Sequence, residues 1–119
     1  MPQHEKINYL EIPATNIEAT KEFFTAVFGW SFTDYGPTYS SFANAGIDGG
    51  FFQSELSAST QNGSALIVLY SKDLEQTQAK VERAGGSIVK PVFDFPGGHR
   101  FHFTDPSGNE FAVWSDAGV

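Results

Sequence analysis

The chain has 119 residues, of which 40% are hydrophobic and 18% charged, and 12 are phenylalanine. This length suits one compact domain, or two half-domains that share one core, and the composition excludes a disordered chain. The absence of cysteine excludes disulfides, zinc ribbons and cysteine nucleophiles. Fourteen Asp and Glu against seven Lys and Arg leave a formal charge of −7, which argues against nucleic acid as a partner.

The sequence shows no recognisable secretion signal and no candidate membrane span. No apolar run follows a basic start at the N-terminus, so no signal peptide is expected. No stretch approaches the roughly 20 apolar residues of a membrane span. We therefore expect a cytoplasmic protein with no membrane partner.

The chain divides into two similar halves. A shift of 57 positions places Asn16–Thr20 on Asp73–Thr77 and Gly29 on Gly86. Both windows have the same order of strand, helix cap, helix and glycine stop, which indicates an internal repeat. We predict a single domain over residues 1–119, composed of module one at about 6–53, a polar linker at 54–63 and module two at about 64–115.

The first half predicts one strand, one helix and three further strands, at residues 7–12, 17–28, 30–35, 39–43 and 50–53. Thr15 or Asn16 is positioned to accept the free N–H groups at the start of the helix. Gly29 suits the left-handed position that ends it.

The second half repeats this order, with a strand at 66–70, a helix at 74–84 and strands at 87–92, 99–104 and 110–115. Asp73 caps the helix, and Gly85-Gly86 stops it. The turn at residues 105–108 joins the last two strands into a hairpin. The fold class is therefore α+β, without a doubly wound parallel sheet.

Three segments resemble the vicinal-oxygen-chelate superfamily: Tyr9–Pro13, Glu22–Trp30 and Thr104–Glu110. This superfamily includes glyoxalase I, extradiol dioxygenases, fosfomycin-resistance transferases and bleomycin-binding proteins. The similarity extends over about residues 6–115 and is greatest to small proteins related to lactoylglutathione lyase. It implies two βαβββ modules that form a cup-shaped mixed sheet around a ligand, and association as a homodimer.

The metal enzymes of that superfamily use a His or Gln on the first strand of each module and a Glu on the last. The matching positions here are Tyr9, Leu66 and Ala112, with the fourth near Gly50 or Phe51. A divalent metal needs imidazole or carboxylate donors, which these side chains do not supply. We expect no metal at this site and no cofactor. A divalent metal held by other residues is the alternative.

Strand alternation defines a candidate ligand-binding face inside the cup. If the matching positions face inward and the hairpin pairs across residues 105–108, the lining consists of Tyr9, Glu11, Leu66, Val68, Tyr70, Phe101, Phe103, Glu110, Ala112 and Trp114. Apolar and aromatic linings with a few polar groups are typical of pockets for small organic molecules. The alternative is that these side chains belong to the core. A slip of one residue would place Arg100 and His102 in the cup instead.

Glu11 and Glu110 are weak candidates for catalysis. A carboxyl held among aromatic side chains is destabilised as an anion, which suits proton transfer near neutral pH. A solvated or salt-bridged carboxylate is the alternative. His99 and His102 lie three apart on a predicted strand and so face opposite sides, which indicates one solvated and one packed histidine rather than a metal pair.

Three functions remain open. The first is a metal-independent member of the superfamily that binds a small apolar or aromatic molecule, by sequestration or with isomerase or lyase chemistry. The second is a metal-dependent lyase or dioxygenase of the glyoxalase I type, with ligands drawn from Glu11, Glu110 or histidines. The third is a structural or regulatory module without a ligand. Metal content and saturable binding distinguish the three.

Overall fold

The computed structural model describes residues 2–117 of the chain. In chain order its elements are β1 (Tyr9–Ala14), α1 (Ile17–Phe28), β2 (Ser31–Asp34), β3 (Tyr39–Ala43), β4 (Asp48–Gln53), β5 (Ile67–Tyr70), α2 (Leu74–Arg83), β6 (Ser87–Phe95), β7 (Gly98–Thr104) and β8 (Glu110–Ser115). Neither helix in this range is long and apolar enough to cross a bilayer.

Both helices begin at the predicted caps. The Asn16 side chain accepts the Ala19 N–H at 3.0 Å, and the Asp73 side chain accepts the Gln76 N–H at 3.1 Å. These bonds satisfy N–H groups that have no partner within the helix. Gly29 ends α1 in the left-handed region at φ 73°, where a residue without Cβ is favoured.

The strands form two four-stranded sheets with the orders β1-β4-β3-β2 and β5-β8-β7-β6. In each sheet the first and last strands of the module are parallel neighbours, and the other pairs are antiparallel. This is one βαβββ unit followed by another, so the predicted α+β fold of two such modules is confirmed.

The two modules differ in the length of their middle strands. The offset between matching elements is 57 residues at the start of the helices and 62 at the start of β4 and β8. It grows because β6 and β7 have 9 and 7 residues, whereas β2 and β3 have 4 and 5. The second sheet therefore has the longer hairpin.

One aromatic core joins the two sheets through α1. The Phe24 ring is fully buried and lies 5.6 Å from Phe51 on β4 and 5.1 Å from Phe111 on β8, centroid to centroid. Each sheet also has a face that α1 does not cover. We call these the open face of sheet one and the open face of sheet two.

Asn109 ties the modules together at the end of the last turn. It is fully buried, and its Nδ2 donates to Pro13 O on β1 at 2.7 Å and to Asp105 Oδ2 at 3.1 Å. Its Oδ1 accepts the N–H of Ala58, in the linker, at 2.8 Å. One side chain therefore bridges module one, the linker and module two.

The predicted pairing of β7 with β8 is wrong by one residue. Phe101 was expected opposite Ala112 and Phe103 opposite Glu110, but Phe101 pairs with Val113 and Phe103 with Phe111. Both phenylalanines are fully buried on the helix side of the sheet, where Phe103 lies 5.7 Å from Phe23 of α1. They belong to the core and do not line the open face.

The cause is the length of the turn. Asp105 N–H donates to Asn109 O at 3.0 Å, and the Asp105 Oδ1 accepts the N–H groups of Ser107 and Asn109, each at 2.9 Å. The loop therefore holds five residues instead of four, and a change of one residue exchanges the two faces of β7. Arg100 and His102 take the places on the open face that were assigned to the phenylalanines.

Candidate functional site

The open face of sheet one carries a chain of hydroxyl and carboxyl groups. The Tyr39 hydroxyl donates to Glu11 Oε2 at 3.0 Å and accepts from the Tyr9 hydroxyl at 2.5 Å. Tyr9 and Glu11 are therefore on this face as predicted, and Tyr39 joins them from β3. Burial, with hydrogen bonds to Tyr9 and Glu11, raises the pKa of Tyr39, so its hydroxyl keeps its proton.

The open face of sheet two is aromatic. Tyr70 and Trp114 pair across β5 and β8, with ring centroids 5.1 Å apart in an edge-to-face arrangement. The ring of Phe95, on β6, lies 6.2 Å from Trp114. Val68 and Tyr70 are 43% and 54% exposed, so this apolar surface faces solvent without protein cover.

The remaining predicted residues of module two fall around this surface. Ala112 pairs with Val68 across β5 and β8 and is fully buried. Leu66 immediately precedes β5 and is partly exposed. Both have the strand parity of the open face. Whether these residues contact a ligand stays a prediction.

Glu110 is held by three hydrogen bonds. Its Oε1 accepts from the backbone N–H and the hydroxyl of Thr60 at 2.8 and 2.9 Å, and its Oε2 lies 2.7 Å from His102 Nδ1. Because an ionised carboxylate only accepts hydrogen bonds, Nδ1 carries the proton. The His102 side chain is 2% exposed, whereas the His99 side chain is 34% exposed and lies beside Asp94.

Burial and hydrogen bonds act in opposite directions on the pKa of Glu110. Burial raises the pKa of this carboxyl, but the hydrogen bonds from His102 and Thr60 outweigh burial and lower its pKa to about 2. The raised pKa that would suit proton transfer does not occur at Glu110, which matches the predicted alternative of a salt-bridged carboxylate. It is an anion at pH 7, and it serves to orient His102.

Two cavities adjoin these faces. One of about 420 Å³ lies over the open face of sheet two and is lined by Val68, Phe95, Pro96, Gly97, Arg100, Trp114 and Asp116. The other, of about 510 Å³, lies between β1, the linker and the start of β8, and both Glu11 and Glu110 contribute to its wall. Both volumes fall in the range of pockets for small molecules.

The positions matched above to metal ligands carry no imidazole or carboxylate group. Leu66 and Ala112 have no donor atom, and Tyr9 offers a phenol engaged with Tyr39. The fourth position lies near Gly50 or Phe51, and a Cβ added at Gly50 would meet the Tyr39 hydroxyl. No group of three or more His, Asp or Glu within residues 2–117 is placed to hold a metal ion.

Sequence reasoning missed several residues of these faces. Tyr39 had no predicted role, Phe95 lies beyond the strand predicted at 87–92, and Arg100 and His102 were expected on the open face only after a register slip. The signal that could have found the last two is the turn, since Asp, Gly and Asn at 105, 108 and 109 can close a five-residue loop.

Comparisons with known proteins agree with this architecture. The Glyoxalase/Bleomycin resistance protein/Dioxygenase superfamily matches residues 6–113. The anthracycline biosynthesis protein DauV of Streptomyces sp. (strain C5) is 29% identical over 124 residues, covering 89% of this chain and 45% of DauV. The chain thus spans less than half the length of this relative.

Solved structures share the fold at low identity. A glyoxalase-related enzyme from Fulvimarina pelagi superposes with a TM-score of 0.77 at 15% identity, over 93% of this chain and 88% of that one. TnmS3, an antibiotic binding protein from Streptomyces sp. CB03234, superposes with a TM-score of 0.68 at 16% identity, over 97% of this chain and 98% of that one.

The fold defines a protein of two consecutive βαβββ modules, each with a sheet face that α1 leaves uncovered. The chain belongs to the Glyoxalase/Bleomycin resistance protein/Dioxygenase superfamily.

Proposed function

We propose that this protein is a metal-independent member of its superfamily that binds a small aromatic organic molecule over the open face of sheet two. The observation that carries this proposal is the exposed aromatic surface of Tyr70, Trp114 and Phe95 beside a cavity of about 420 Å³. Flat, rigid aromatic side chains give a ligand much contact area at little cost in side-chain entropy.

The chemistry of the metal positions supports binding without a metal. Leu66 and Ala112 supply no donors, and Tyr39 covers Gly50. The three hydrogen bonds of the Glu110 carboxylate are made with His102 and Thr60, which favours a structural role over proton transfer. TnmS3 is described as an antibiotic binding protein, and DauV belongs to anthracycline biosynthesis; both descriptions favour a small organic ligand.

The test combines metal content with ligand binding, on protein purified without an affinity tag. We expect elemental mass spectrometry to find almost no Ni, Co, Mn or Zn per chain after loading with each metal. We expect saturable binding of 2-naphthalenemethanol, a neutral aromatic probe, by isothermal titration calorimetry. About one tightly held metal per chain would contradict the proposal and support the metal-dependent lyase or dioxygenase.

Two variants locate the binding surface. Trp114→Ala should weaken binding of the probe at least tenfold, because it removes the central ring of the surface. Tyr35→Ala is the matched control, since Tyr35 is an exposed aromatic residue outside the cavity and should leave the affinity unchanged. Equal affinities for the two variants would show that the probe binds elsewhere.

A further inference from the structure

Arg100 is a cation without an acidic partner in an acidic protein. It lies on the open face of sheet two, where it pairs with Trp114 on β8 and Phe93 on β6. The five ion pairs within residues 2–117 do not include it. Of the seven Lys and Arg in the chain, only Lys21 forms an ion pair within residues 2–117, so what distinguishes Arg100 is its place in the cavity of about 420 Å³.

The side chain is held by aromatic rings instead. The Arg100 Cζ lies 5.3 Å from the centroid of Phe93 and 5.6 Å from that of Phe95. Such contacts orient the guanidinium plane but use none of its N–H donors. The carboxyl group nearest in the same cavity, on Asp116, accepts from the Tyr70 hydroxyl at 2.6 Å. The guanidinium therefore keeps its hydrogen-bonding capacity.

One of those donors is buried and unused. Arg100 Nε has no hydrogen-bond partner although it is shielded from solvent. The other such side-chain atom within residues 2–117 is His102 Nε2, two residues along the same strand and on the same face. Buried polar atoms without a partner are uncommon in native proteins and call for a specific explanation. Both lie on the face that bears the aromatic surface.

We propose that Arg100 binds the carboxylate of an aromatic acid whose ring lies on Trp114 and Phe95. This inference rests on the proposed function and names its ligand class. The terminal N–H groups of a guanidinium match the two oxygens of a carboxylate, and those of Arg100 have no hydrogen-bond partner within residues 2–117. A single cation balances a single carboxylate, whereas the charge of −7 and the nearby Asp116 disfavour a phosphate dianion.

The experiment compares two probes of the same shape by isothermal titration calorimetry. 2-Naphthoate carries the carboxylate, and 2-naphthalenemethanol replaces it with a neutral hydroxymethyl group. Since hydrogen bonds to charged groups contribute more than neutral ones, we expect 2-naphthoate to bind roughly 10- to 100-fold more tightly. Arg100→Gln should remove this preference by weakening the binding of 2-naphthoate much more than the binding of 2-naphthalenemethanol.

Two further variants separate the site from the total charge. Arg83→Gln makes the same charge change on α2, away from the cavity, and should preserve the preference for 2-naphthoate. Arg100→Lys keeps the charge but loses the planar set of guanidinium N–H donors, and it should retain only part of the preference for 2-naphthoate. Thermal unfolding followed by circular dichroism confirms that each variant is folded.

The outcomes distinguish the two proposals. If both probes bind wild type equally, or if Arg100→Gln keeps the preference, the carboxylate site is wrong and aromatic binding stands. If neither probe binds, the proposed function fails and the carboxylate site fails with it.

Discussion

Glu110 shows how one side chain can join the linker to two strands of the second module. Its two carboxylate oxygens join the linker at Thr60, the strand β7 at His102 and its own strand β8. The carboxylate is nearly buried, and its hydrogen bonds compensate for the loss of water. The charge therefore favours the folded state.

This arrangement predicts the acid dependence of stability. Burial and the opposing hydrogen bonds together lower the pKa of Glu110 from 4.5 to about 2. A carboxyl whose pKa is depressed on folding stabilises the fold above the unfolded pKa, and this contribution is lost as the pH falls through the folded pKa. We expect the free energy of unfolding in urea to fall between about pH 4.5 and pH 2, and to fall less steeply in Glu110→Gln.

Glu22→Gln provides the matched control, because Glu22 is an exposed residue of α1. Its pH profile should parallel that of the wild type. Parallel profiles for the wild type and Glu110→Gln would contradict the role assigned to this carboxylate.

At the scale of elements, the sequence predicted what local chemistry determines. The capping residues Asn16 and Asp73 and the stop at Gly29 act within one helical turn, and both helices begin where they were predicted. The repeat predicted the same order of elements along the chain in both halves. The element pattern therefore needed no long-range information, whereas the pairing of the two modules was implied by the family resemblance.

The candidate site depended on interactions that the pattern does not contain. A loop of four or five residues is equally compatible with Asp105–Asn109, yet the choice decides whether Phe101 or Arg100 faces the ligand side. The lowered pKa of Glu110 depends in part on a hydrogen bond from Thr60, which is 50 residues away in the chain. Such contacts become visible only when the strands are paired.

Truncation of Phe24, on α1, is expected to cause the largest single loss of stability. Phe24 is fully buried and packs against Trp30 at 4.4 Å as well as against both sheets. Phe24→Ala should lower the free energy of unfolding by about 3–5 kcal/mol, because it removes a large ring and leaves a cavity. Chemical denaturation followed by circular dichroism measures this change.

Tyr9→Ala, compared with Phe24→Ala, tests the assignment of Tyr9 to an open face and of Phe24 to the core. Tyr9 is 41% exposed on the open face of sheet one, so its truncation should cost much less stability than Phe24→Ala. A larger loss for Tyr9→Ala than for Phe24→Ala would overturn the distinction between the open faces and the core.

At the scale of the whole molecule, Asn109 couples the two modules. Asn109→Ala would leave Pro13 O and the Ala58 N–H without a partner in a partly buried region. Each such group costs about 1–3 kcal/mol, so we expect a loss of about 2–5 kcal/mol in the free energy of unfolding. Asn62→Ala, at an exposed position of the linker, should change it by less than about 0.5 kcal/mol.

Two tryptophans can report on the modules separately. Trp30 lies in the core beside α1 and Trp114 on β8, so Trp114→Phe and Trp30→Phe each leave one reporter. We expect their fluorescence transitions in urea to coincide, as they should for one cooperative unit.

An unchanged free energy of unfolding in Asn109→Ala would show that the hydrogen bonds of Asn109 contribute little to the coupling of the modules.

The two sheets meet without a shared strand ladder, and a cavity of about 370 Å³ lies where β1 approaches β5, lined in part by Leu10, Ile12, Ile67 and Leu69. The angle between the sheets is therefore set by side chains at this seam and not by backbone hydrogen bonds. Substitutions there should change the angle between the sheets while every strand register is kept. Under the proposed function, a scaffold of this kind would accept ligands of new sizes through small, separate substitutions that leave folding intact.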